Sequence, residues 1–411
     1  MTGKEREKCA VLVTGGAGFL GQHLIGLLQT RADHVTEIRV LDVVPYENKL
    51  DYVQTKPIKT FVGSITDESI LKEACDGVVS VIHLAAIPDS RMFPDEKRIN
   101  EVNIQGTLLT LLTALGTIGV RRFIYCSSMS VSIGNNDVTE NIKESDPIPS
   151  TRIFEPYASS KLAGERIVLA ANGPTFRTVC IRPLVMWGEL DTIFIGLSQK
   201  MAKDTFGYTP VIDTGKVLQH NSYVGNTAWG FVCAETKLYL EMKGVRINKQ
   251  IDQNQADQSK QELCSVLRRR SQKMREHENE DASMCDFTGT NKQDEESSAN
   301  IYFIADDTPM ENPFKFQEPF LKATGYALTN FSCPIFIIAI FFGIIYACVF
   351  ILRCFGLKSN YPVAFSCLQY YKRTYSFDDT KARSELGYKP LYTPKQAFER
   401  SLKYYSKNRY K

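Results

Sequence analysis

The sequence has few histidines and no cysteine pair at metal-binding spacing. Of its 411 residues, five are histidine and eleven are cysteine, and no C-x-x-C occurs. Zinc sites need paired cysteine or histidine ligands at short spacing, so no metal centre is predicted. The scattered cysteines, odd in number, also give no disulfide framework, which favours a reduced chain facing the cytosol.

The chain also lacks a strong excess of charge, and no secretory signal peptide is predicted. Its net charge is +3, from 49 basic and 46 acidic residues, so no nucleic-acid partner is predicted. Residues 1–8 are charged and run directly into the first predicted strand, which is unlike a secretory signal peptide. The length of 411 residues allows one large or two ordinary domains.

Three glycines in seven residues organise the first part of the chain. An apolar run at residues 9–13 is followed by a turn with Gly15, Gly18 and Gly21, and an apolar helical pattern begins at Phe19. Strand, glycine turn and helix in this order are typical of a dinucleotide fingerprint, although the spacing G-x-x-G-x-x-G also fits an ordinary strand–helix turn. Because a helix N-terminus favours anions, we predict that these four residues and Leu20 bind a pyrophosphate.

A carboxylate ends the second predicted strand, residues 38–41. Asp42 lies 21 residues after Gly21. A carboxylate at this place accepts hydrogen bonds from ribose hydroxyls and repels a 2′-phosphate. Since Val43 and Val44 follow it, rather than arginine or lysine, NAD and not NADP is the predicted cofactor. A capping or surface aspartate is the alternative interpretation.

Strands and helices continue to alternate after this point. Strands are predicted at residues 60–63, 78–86 and 123–127, and helices at 68–75 and 100–115. This alternation predicts an α/β fold of the Rossmann type, with a doubly wound parallel sheet. Ligands of such sheets bind at the carboxyl ends of the strands, where His83, Ala85 and Ser128 fall.

Tyr157 and Lys161 stand four residues apart at the start of a predicted helix. At this spacing the two side chains share one helix face. A neighbouring ammonium favours the phenolate and lowers the tyrosine pKa, as a general base requires. Ser128, at the end of a strand, is the candidate to hold the substrate oxygen. Such a pair also occurs by chance, but its place after a fifth strand favours a catalytic role.

Several motifs together resemble the extended short-chain dehydrogenase/reductase family. These are T-G-G-A-G-F-L-G, H-L-A-A, N-I-Q-G-T, Y-C-S-S-M, Y-x-x-x-K and I-R-P. Residues 222–229, 301–309 and 384–392 further resemble the 3β-hydroxysteroid dehydrogenase/Δ5–Δ4 isomerases. The resemblance covers nearly the whole chain except about residues 246–300.

The resemblance implies a role for each matching residue. Tyr157 would take the 3β-hydroxyl proton of a steroid or sterol, Lys161 would bind the nicotinamide ribose, and Ser128 would hydrogen-bond the reacting oxygen. Through the same motifs, His83, Ala85 and Asn103 are assigned to the cofactor.

Isomerisation would use an acidic pair, Asp306 and Asp307, although a plain turn before Pro309 explains the pair as well. Two departures from the family pattern stand beside it. Ala158 and Ser159 replace a proline and a histidine, which removes any contribution of that histidine to isomerisation. Ser64 replaces an aspartate expected near the adenine, which would weaken NAD binding.

An uncharged stretch of 22 residues, 331–352, is long enough to cross a bilayer as a helix of about 33 Å. A buried core helix is the alternative. Because residues 301–309 and 384–392 resemble parts of one folded domain, we expect the stretch to dip into the membrane and return, or to lie along its surface. In the alternative arrangement, the C-terminal segment lies on the far side of the membrane.

The predicted organisation has four parts. Residues 8–190 form the NAD-binding domain, 191–330 the substrate domain, 331–360 the membrane-associated segment, and 361–411 the C-terminal part of the substrate domain. The polar residues 246–300 predict a disordered insert with a short basic helix at 263–275, and a regulatory or lipid-binding role for it is an alternative.

The function predicted is NAD-dependent oxidation of a 3β-hydroxy-Δ5 steroid with Δ5–Δ4 isomerisation. The predicted location is the cytosolic face of the endoplasmic reticulum membrane, with a mitochondrial membrane as the alternative and a homodimer allowed. Two other functions stay open, a decarboxylating sterol-4-carboxylate 3-dehydrogenase and a non-catalytic NAD-binding membrane protein.

Overall fold

A seven-stranded parallel sheet forms the centre of the molecule. The computed structural model describes residues 8–89, 91–213, 216–248, 258, 260–261, 264–269, 300–357, 360–361 and 365–407. The strands are β1 (Ala10–Thr14), β2 (Glu37–Asp42), β3 (Ile58–Val62), β4 (Val78–His83), β5 (Arg122–Cys126), β6 (Val138–Ile142), β7 (Arg177–Pro183), β8 (Val185–Trp187), β9 (Tyr208–Asp213), β10 (Asn221–Tyr223), β11 (Ile301–Ile304), β12 (Ala327–Pro334) and β13 (Thr374–Phe377). In the sheet they follow the order β11-β7-β5-β4-β1-β2-β3.

Helices connect these strands. They are α1 (Phe19–Arg31), α2 (Glu68–Cys75), α3 (Glu96–Asn100), α4 (Thr107–Gly116), α5 (Tyr157–Leu169), α6 (Ile195–Asp204), α7 (Val224–Asn248), α8 (Pro313–Thr324), α9 (Ile335–Cys354), α10 (Phe365–Tyr371), α11 (Thr380–Glu385) and α12 (Pro394–Lys407). A π-helix, Glu101–Gly106, joins α3 to α4, and a short 3₁₀-helix, Met129–Ser132, follows β5.

Two helical layers cover the sheet, as the doubly wound pattern predicts. Helices α1 and α7 share one apolar core with the sheet, and α2, α4 and α5 share a second. All five residues of β1 are buried, as a strand covered on both faces requires. The carboxyl ends of the central strands lie side by side, since Thr14 pairs with His83 and His83 pairs with Tyr125.

The sequence-based element order for residues 9–127 is confirmed, with differences at the ends. Strand β4 stops at His83, and Leu84 already donates its N–H to the Thr14 carbonyl (3.0 Å). The single helix predicted at residues 100–115 is divided by the π-helix, a feature that hydrophobic periodicity does not reveal.

The sheet extends beyond the segment predicted for it. Its edge strand β11 pairs with β7, and α7 packs on α1, although both come from the stretch assigned to the substrate domain. The predicted boundary at residue 190 therefore does not divide the sheet from the remainder. Three small parallel pairings, β8–β10, β9–β12 and β6–β13, lie outside the main sheet.

Helix α9 contains the long apolar stretch. Among the described residues it is the one helix long and apolar enough to cross a membrane, and only 6% of its apolar window is buried. Phe342 and Val349 are its buried residues. The alternative of a buried core helix is therefore excluded.

Most of the predicted insert, residues 246–300, lies outside the described residues. Within it, residues 264–269 are helical and fall inside the short helix predicted at 263–275. Cys264 and Leu267 are buried in the core cluster that contains α4. This part of the insert is not a disordered loop, because its two apolar side chains pack on the domain.

Candidate active site

The glycine turn lies between β1 and α1 at the carboxyl edge of the sheet. Gly15 has φ +72°, a conformation that favours glycine, and a Cβ there would lie 2.7 Å from the Ala85 nitrogen. Its N–H donates to the Leu41 carbonyl (2.8 Å), which fastens the turn to β2. Gly15 and Ala85, both assigned to the cofactor from the sequence, are therefore in direct contact.

Helix α1 begins at this turn without a side-chain cap from the described residues. Gly18 is its N-cap, is exposed, and provides no side-chain cap for the N–H groups of Phe19 and Leu20. Uncapped N–H groups at a helix N-terminus attract anions. Gly21 has a different role, because a Cβ there would lie 2.5 Å from the Gly16 Cα, so this glycine serves the close packing of α1 against the turn.

Asp42 ends β2 beside the same turn. One carboxylate oxygen accepts from the Ala17 N–H (3.0 Å), and the other accepts from the Val44 N–H (3.3 Å). The carboxylate is thus held in a fixed orientation next to the glycines. A carboxylate in this state keeps lone pairs for further donors, which the predicted contact with ribose hydroxyls requires.

His83 is buried behind the site and does not face it. Its Nδ1 lies 2.8 Å from the Thr14 hydroxyl and its Nε2 lies 3.0 Å from the Thr107 hydroxyl. Burial lowers the pKa of His83 to about 3, and the Lys161 charge acts in the same direction. Both ring nitrogens lie within hydrogen-bond distance of threonine hydroxyls, so His83 has a structural role beneath the surface of the site. This differs from the predicted contact of His83 with the cofactor.

Asn103 is likewise a supporting residue. Its side-chain oxygen accepts from the Ile87 N–H (2.7 Å), and its amide nitrogen lies within 3.1 Å of the Ile87 carbonyl oxygen. The same nitrogen donates to the Ser160 hydroxyl (3.0 Å) in α5. Asn103 is buried and joins the segment after β4 to the helix that carries the tyrosine.

Ser128, Tyr157 and Lys161 converge at the carboxyl end of β5. Ser128 caps the 3₁₀-helix by accepting from the Ser130 N–H (3.1 Å), and its side chain lies beside that of Tyr157. Ser128 and Tyr157 are half-buried, whereas Lys161, one helical turn along α5, is buried. The structure therefore brings together the three residues predicted to be catalytic.

The predicted lowering of the Tyr157 pKa by Lys161 is wrong for this arrangement. Burial raises the pKa of Tyr157, the neighbouring Cys126 adds to the rise, and the hydrogen bond with Ser128 opposes it. The Lys161 ammonium instead lies 4.3 Å from the centre of the Tyr125 ring. Burial also lowers the pKa of Lys161 itself.

The acidic pair makes structural contacts. Asp306 is buried and accepts hydrogen bonds from the Tyr223 N–H, the Asn226 amide and the Thr308 N–H, at 2.8 to 2.9 Å. Asp307 forms an exposed ion pair with Arg383 (3.0 Å). These contacts agree with the alternative interpretation of a turn and do not bring either carboxylate to Tyr157.

Two groups near the site are not predicted by the sequence pattern. Cys126 ends β5, and electrostatic interactions connect its thiol to Tyr157 and Lys161. Arg182, from the I-R-P motif, forms a buried ion pair of 2.6 Å with Glu165 of α5. The end of a predicted strand pointed to Cys126, and the motif pointed to Arg182, but no local pattern pairs Arg182 with Glu165.

The chain is similar to known proteins both in sequence and in fold. The family model described as 3-beta hydroxysteroid dehydrogenase/isomerase matches residues 12–256. A protein named 3 beta-hydroxysteroid dehydrogenase/Delta 5-->4-isomerase, from two strains of Mycobacterium tuberculosis, is 29% identical over 96% of this chain and 90% of its own length.

Solved structures share the fold at lower identity. MoeE5 in complex with UDP-glucuronic acid and NAD has a TM-score of 0.59 and 16% identity, over 97% of this chain and 99% of its own. A dTDP-glucose 4,6-dehydratase of Streptomyces venezuelae, solved with NAD bound, has a TM-score of 0.60 and 19% identity, over 97% of both chains. At this identity the likeness concerns the fold.

Proposed function

Because the chain belongs to the 3-beta hydroxysteroid dehydrogenase/isomerase family, we propose that it oxidises the 3β-hydroxyl of a Δ5 steroid to the 3-ketone with NAD. The observation that carries the proposal is the placement of Ser128 just after β5 together with Tyr157, which begins α5 one helical turn before the buried Lys161. The name of the mycobacterial relatives supports the steroid substrate.

The residues around the glycine turn fit the proposed cofactor. Exposed Gly18 presents the uncapped N-terminus of α1 to a pyrophosphate, and Gly15 leaves no side chain between the turn and Ala85. Asp42, held beside the turn by the Ala17 N–H, would accept from the ribose hydroxyls, and its charge would disfavour a 2′-phosphate.

The chemistry at the proposed site is acid–base catalysis by the chain itself. When bound, NAD accepts a hydride from C3 of the steroid. Ser128 holds the C3 oxygen, and Tyr157 takes its proton. Since burial raises the Tyr157 pKa, the phenolate needs a further positive charge nearby. Lys161 is the buried cation one helical turn away, and its ammonium would have to turn from the Tyr125 ring toward Tyr157 to provide that charge.

Isomerisation of the Δ5 double bond is proposed as a second step, supported by the name of the relatives. Asp306 is a poor candidate for its base, because its two oxygens already accept three hydrogen bonds. The buried carboxyl holds β10 and α7 to the segment after β11, which makes it a structural residue in this proposal.

We further propose that α9 lies on the cytosolic face of the endoplasmic reticulum membrane. Large apolar residues cover its outward side and are exposed: Phe336, Ile337, Ile340, Phe341, Ile344 and Ile351. The opposite side contacts the protein through Phe342, Tyr346 and Arg353, spread over most of the helix length. A helix that contacts the folded body along one side and is apolar on the other suits an interfacial position.

The experiment follows NADH and conjugated enone together in detergent extract supplied with NAD and a 3β-hydroxy-Δ5 steroid. Tyr157→Phe should lower NADH formation by about 10²- to 10⁴-fold, the usual contribution of a general base. The control is Tyr208→Phe, an exposed tyrosine on β9, which should leave both signals unchanged.

Each other outcome has a definite meaning. NADH without enone would remove the isomerase step. NADH formed only from a 4-carboxysterol would move the enzyme to the decarboxylating class. No NADH from either substrate would overturn the proposal and favour a non-catalytic NAD-binding protein.

A further inference from the structure

Two asparagine side chains hold the segment that follows β4. Each of them hydrogen-bonds to the backbone N–H and to the backbone carbonyl of one residue in that segment. Asn103 binds the N–H and the carbonyl of Ile87. Asn360 binds Phe93 in the same manner, accepting from its N–H (3.1 Å) and donating to its carbonyl (2.6 Å). In doubly wound sheets, the segment after such a strand borders the ligand crevice.

The first asparagine connects this segment to the catalytic helix. Asn103 donates to the Ser160 hydroxyl (3.0 Å), and that hydroxyl donates to the Tyr157 carbonyl (2.7 Å). The position of Ile87 is therefore tied to the first turn of α5, which carries Tyr157.

The second asparagine connects the segment to the apolar helix. The Phe93 ring stacks on Tyr346 of α9, with centres 4.9 Å apart, and the Arg353 guanidinium lies 5.2 Å from the ring centre. The Met92 N–H donates to the Tyr361 carbonyl (3.0 Å), and the Tyr361 ring packs edge-on against Phe342. We call Phe93, Tyr346, Arg353, Asn360 and Tyr361 the Phe93 clamp.

The side of α9 away from the clamp is apolar and exposed, with Phe341 at 53% and Ile344 at 58%. A soluble partner would need a matching apolar groove, whereas a lipid leaflet accepts such a surface of any shape. One helix thus presents one side to lipid and the other to the border of the crevice.

We propose that the Phe93 clamp fixes the border of the steroid site to the membrane-facing helix, so that binding of α9 to lipid steadies the segment that receives the steroid. The inference rests on the proposed function for the identity of the substrate. The coupling between lipid contact of α9 and the order of Met92 and Phe93 does not depend on which substrate the enzyme binds.

Trypsin cleavage after Arg91 measures this coupling without any assay of activity. Arg91 is exposed and precedes the first clamped residue, so cleavage requires release of the clamp. Asn360→Ala removes both hydrogen bonds to Phe93 and should raise the cleavage rate about tenfold. Phosphatidylcholine vesicles should slow cleavage of the wild type and leave that of Asn360→Ala unchanged.

A matched pair on α9 separates the clamp from simple anchoring. Tyr346 and Phe341 are both aromatic and similarly exposed, at 49% and 53%, but Phe341 lies on the lipid-facing side of α9 and Tyr346 on the clamp side. Phe341→Ala should therefore lose vesicle affinity. Without vesicles, only Tyr346→Ala, which removes the stacking on Phe93, should raise cleavage after Arg91. Equal cleavage in both variants would overturn the proposal.

Steroid kinetics then connect the clamp to the site. Asn360→Ala should raise the KM for the steroid several-fold while the KM for NAD stays unchanged. An unchanged steroid KM together with faster cleavage would overturn the link to the substrate site. Absence of steroid oxidation in the wild type would instead count against the proposed function, because the cleavage measurement would still report on the clamp.

Discussion

His83 is buried in a place that disfavours its charged form. It is fully buried between two threonine hydroxyls, and burial lowers its pKa to about 3. The unfolded chain binds a proton on this residue near pH 6.5. The stability that His83 contributes is therefore fully present above pH 6.5 and is lost as the pH falls toward 3.

Replacing His83 by glutamine should remove this pH dependence. Between pH 6.5 and 5, the wild type should lose about 2 kcal/mol more unfolding free energy than His83→Gln, because only the wild type must exclude a proton. Denaturant unfolding in detergent at several pH values measures the two slopes. The buried His23 is present in both proteins and cancels. Parallel slopes would show that His83 is not the group responsible.

At this scale, local motifs predicted the positions of the site residues and not their electrostatics. Gly15, Asp42 and Tyr157 are recognisable because each stands at a fixed offset from a strand or helix end. The rise of the Tyr157 pKa depends on burial and on Cys126. Neither the depth of the site nor the contacts of Asp306 is encoded in the adjacent residues, so both were beyond sequence reasoning.

Among the elements, α5 approaches β5 closely because of one glycine. A Cβ at Gly164 would lie 2.3 Å from the Tyr125 hydroxyl oxygen and 2.8 Å from the ring carbon that bears it. Tyr125 is fully buried and cannot turn aside. Gly164 therefore sets the distance at which α5 presents Tyr157 to Ser128.

Gly164→Ala should push α5 away from β5. We expect a loss of about 1–3 kcal/mol of unfolding free energy, as for an overpacked core, and a fall in kcat larger than any change in the KM for NAD. Gly116→Ala in α4 is the control, because a Cβ there meets nothing within 4 Å. Stability and kcat of Gly164→Ala that equal those of the control would contradict this account.

The elements themselves were largely predictable, since strands buried on both faces read as apolar runs. The π-helix was not, because it changes the hydrogen-bond spacing without changing the apolar pattern. The buried ion pair between Arg182 of β7 and Glu165 of α5 was also not predictable from the sequence, because the two residues meet only when α5 packs against β7.

In the whole molecule, the residues that follow α9 pack on the same folded domain as the residues that precede it. Strand β13 pairs with β6, and the Tyr405 hydroxyl of α12 donates to the Gly188 carbonyl (2.8 Å). A helix crossing the bilayer once would place β13 and β6 on opposite sides and break this pairing. The fold thus requires both flanks of α9 on one side.

A membrane-impermeant amine reagent tests this topology. With the enzyme bound to the outside of sealed vesicles, Lys72 of α2 and Lys395 of α12 should be labelled to the same extent, because both are exposed. Vesicles opened by detergent provide the control. Protection of Lys395 alone, relieved by detergent, would establish a spanning helix.

The return of the chain was predicted from motifs on both flanks of the apolar stretch, whereas the membership of β11 in the main sheet was not. Its partner β7 lies more than 100 residues earlier, with the insert between them. Such a pairing depends on which edge of the sheet is still unpaired once the other strands have assembled. No single stretch of sequence contains this information.

The proposed oxidation can be followed through the hydrogen atom that leaves C3 of the steroid. A 3β-hydroxy-Δ5 steroid with deuterium at C3 is incubated with NAD and the enzyme, and the mass of the reduced nucleotide is measured. We expect deuterium in the reduced nucleotide of the wild type and a large fall of that product in Tyr157→Phe. Unlabelled reduced nucleotide, or equal labelling by Tyr157→Phe, would contradict the proposed site.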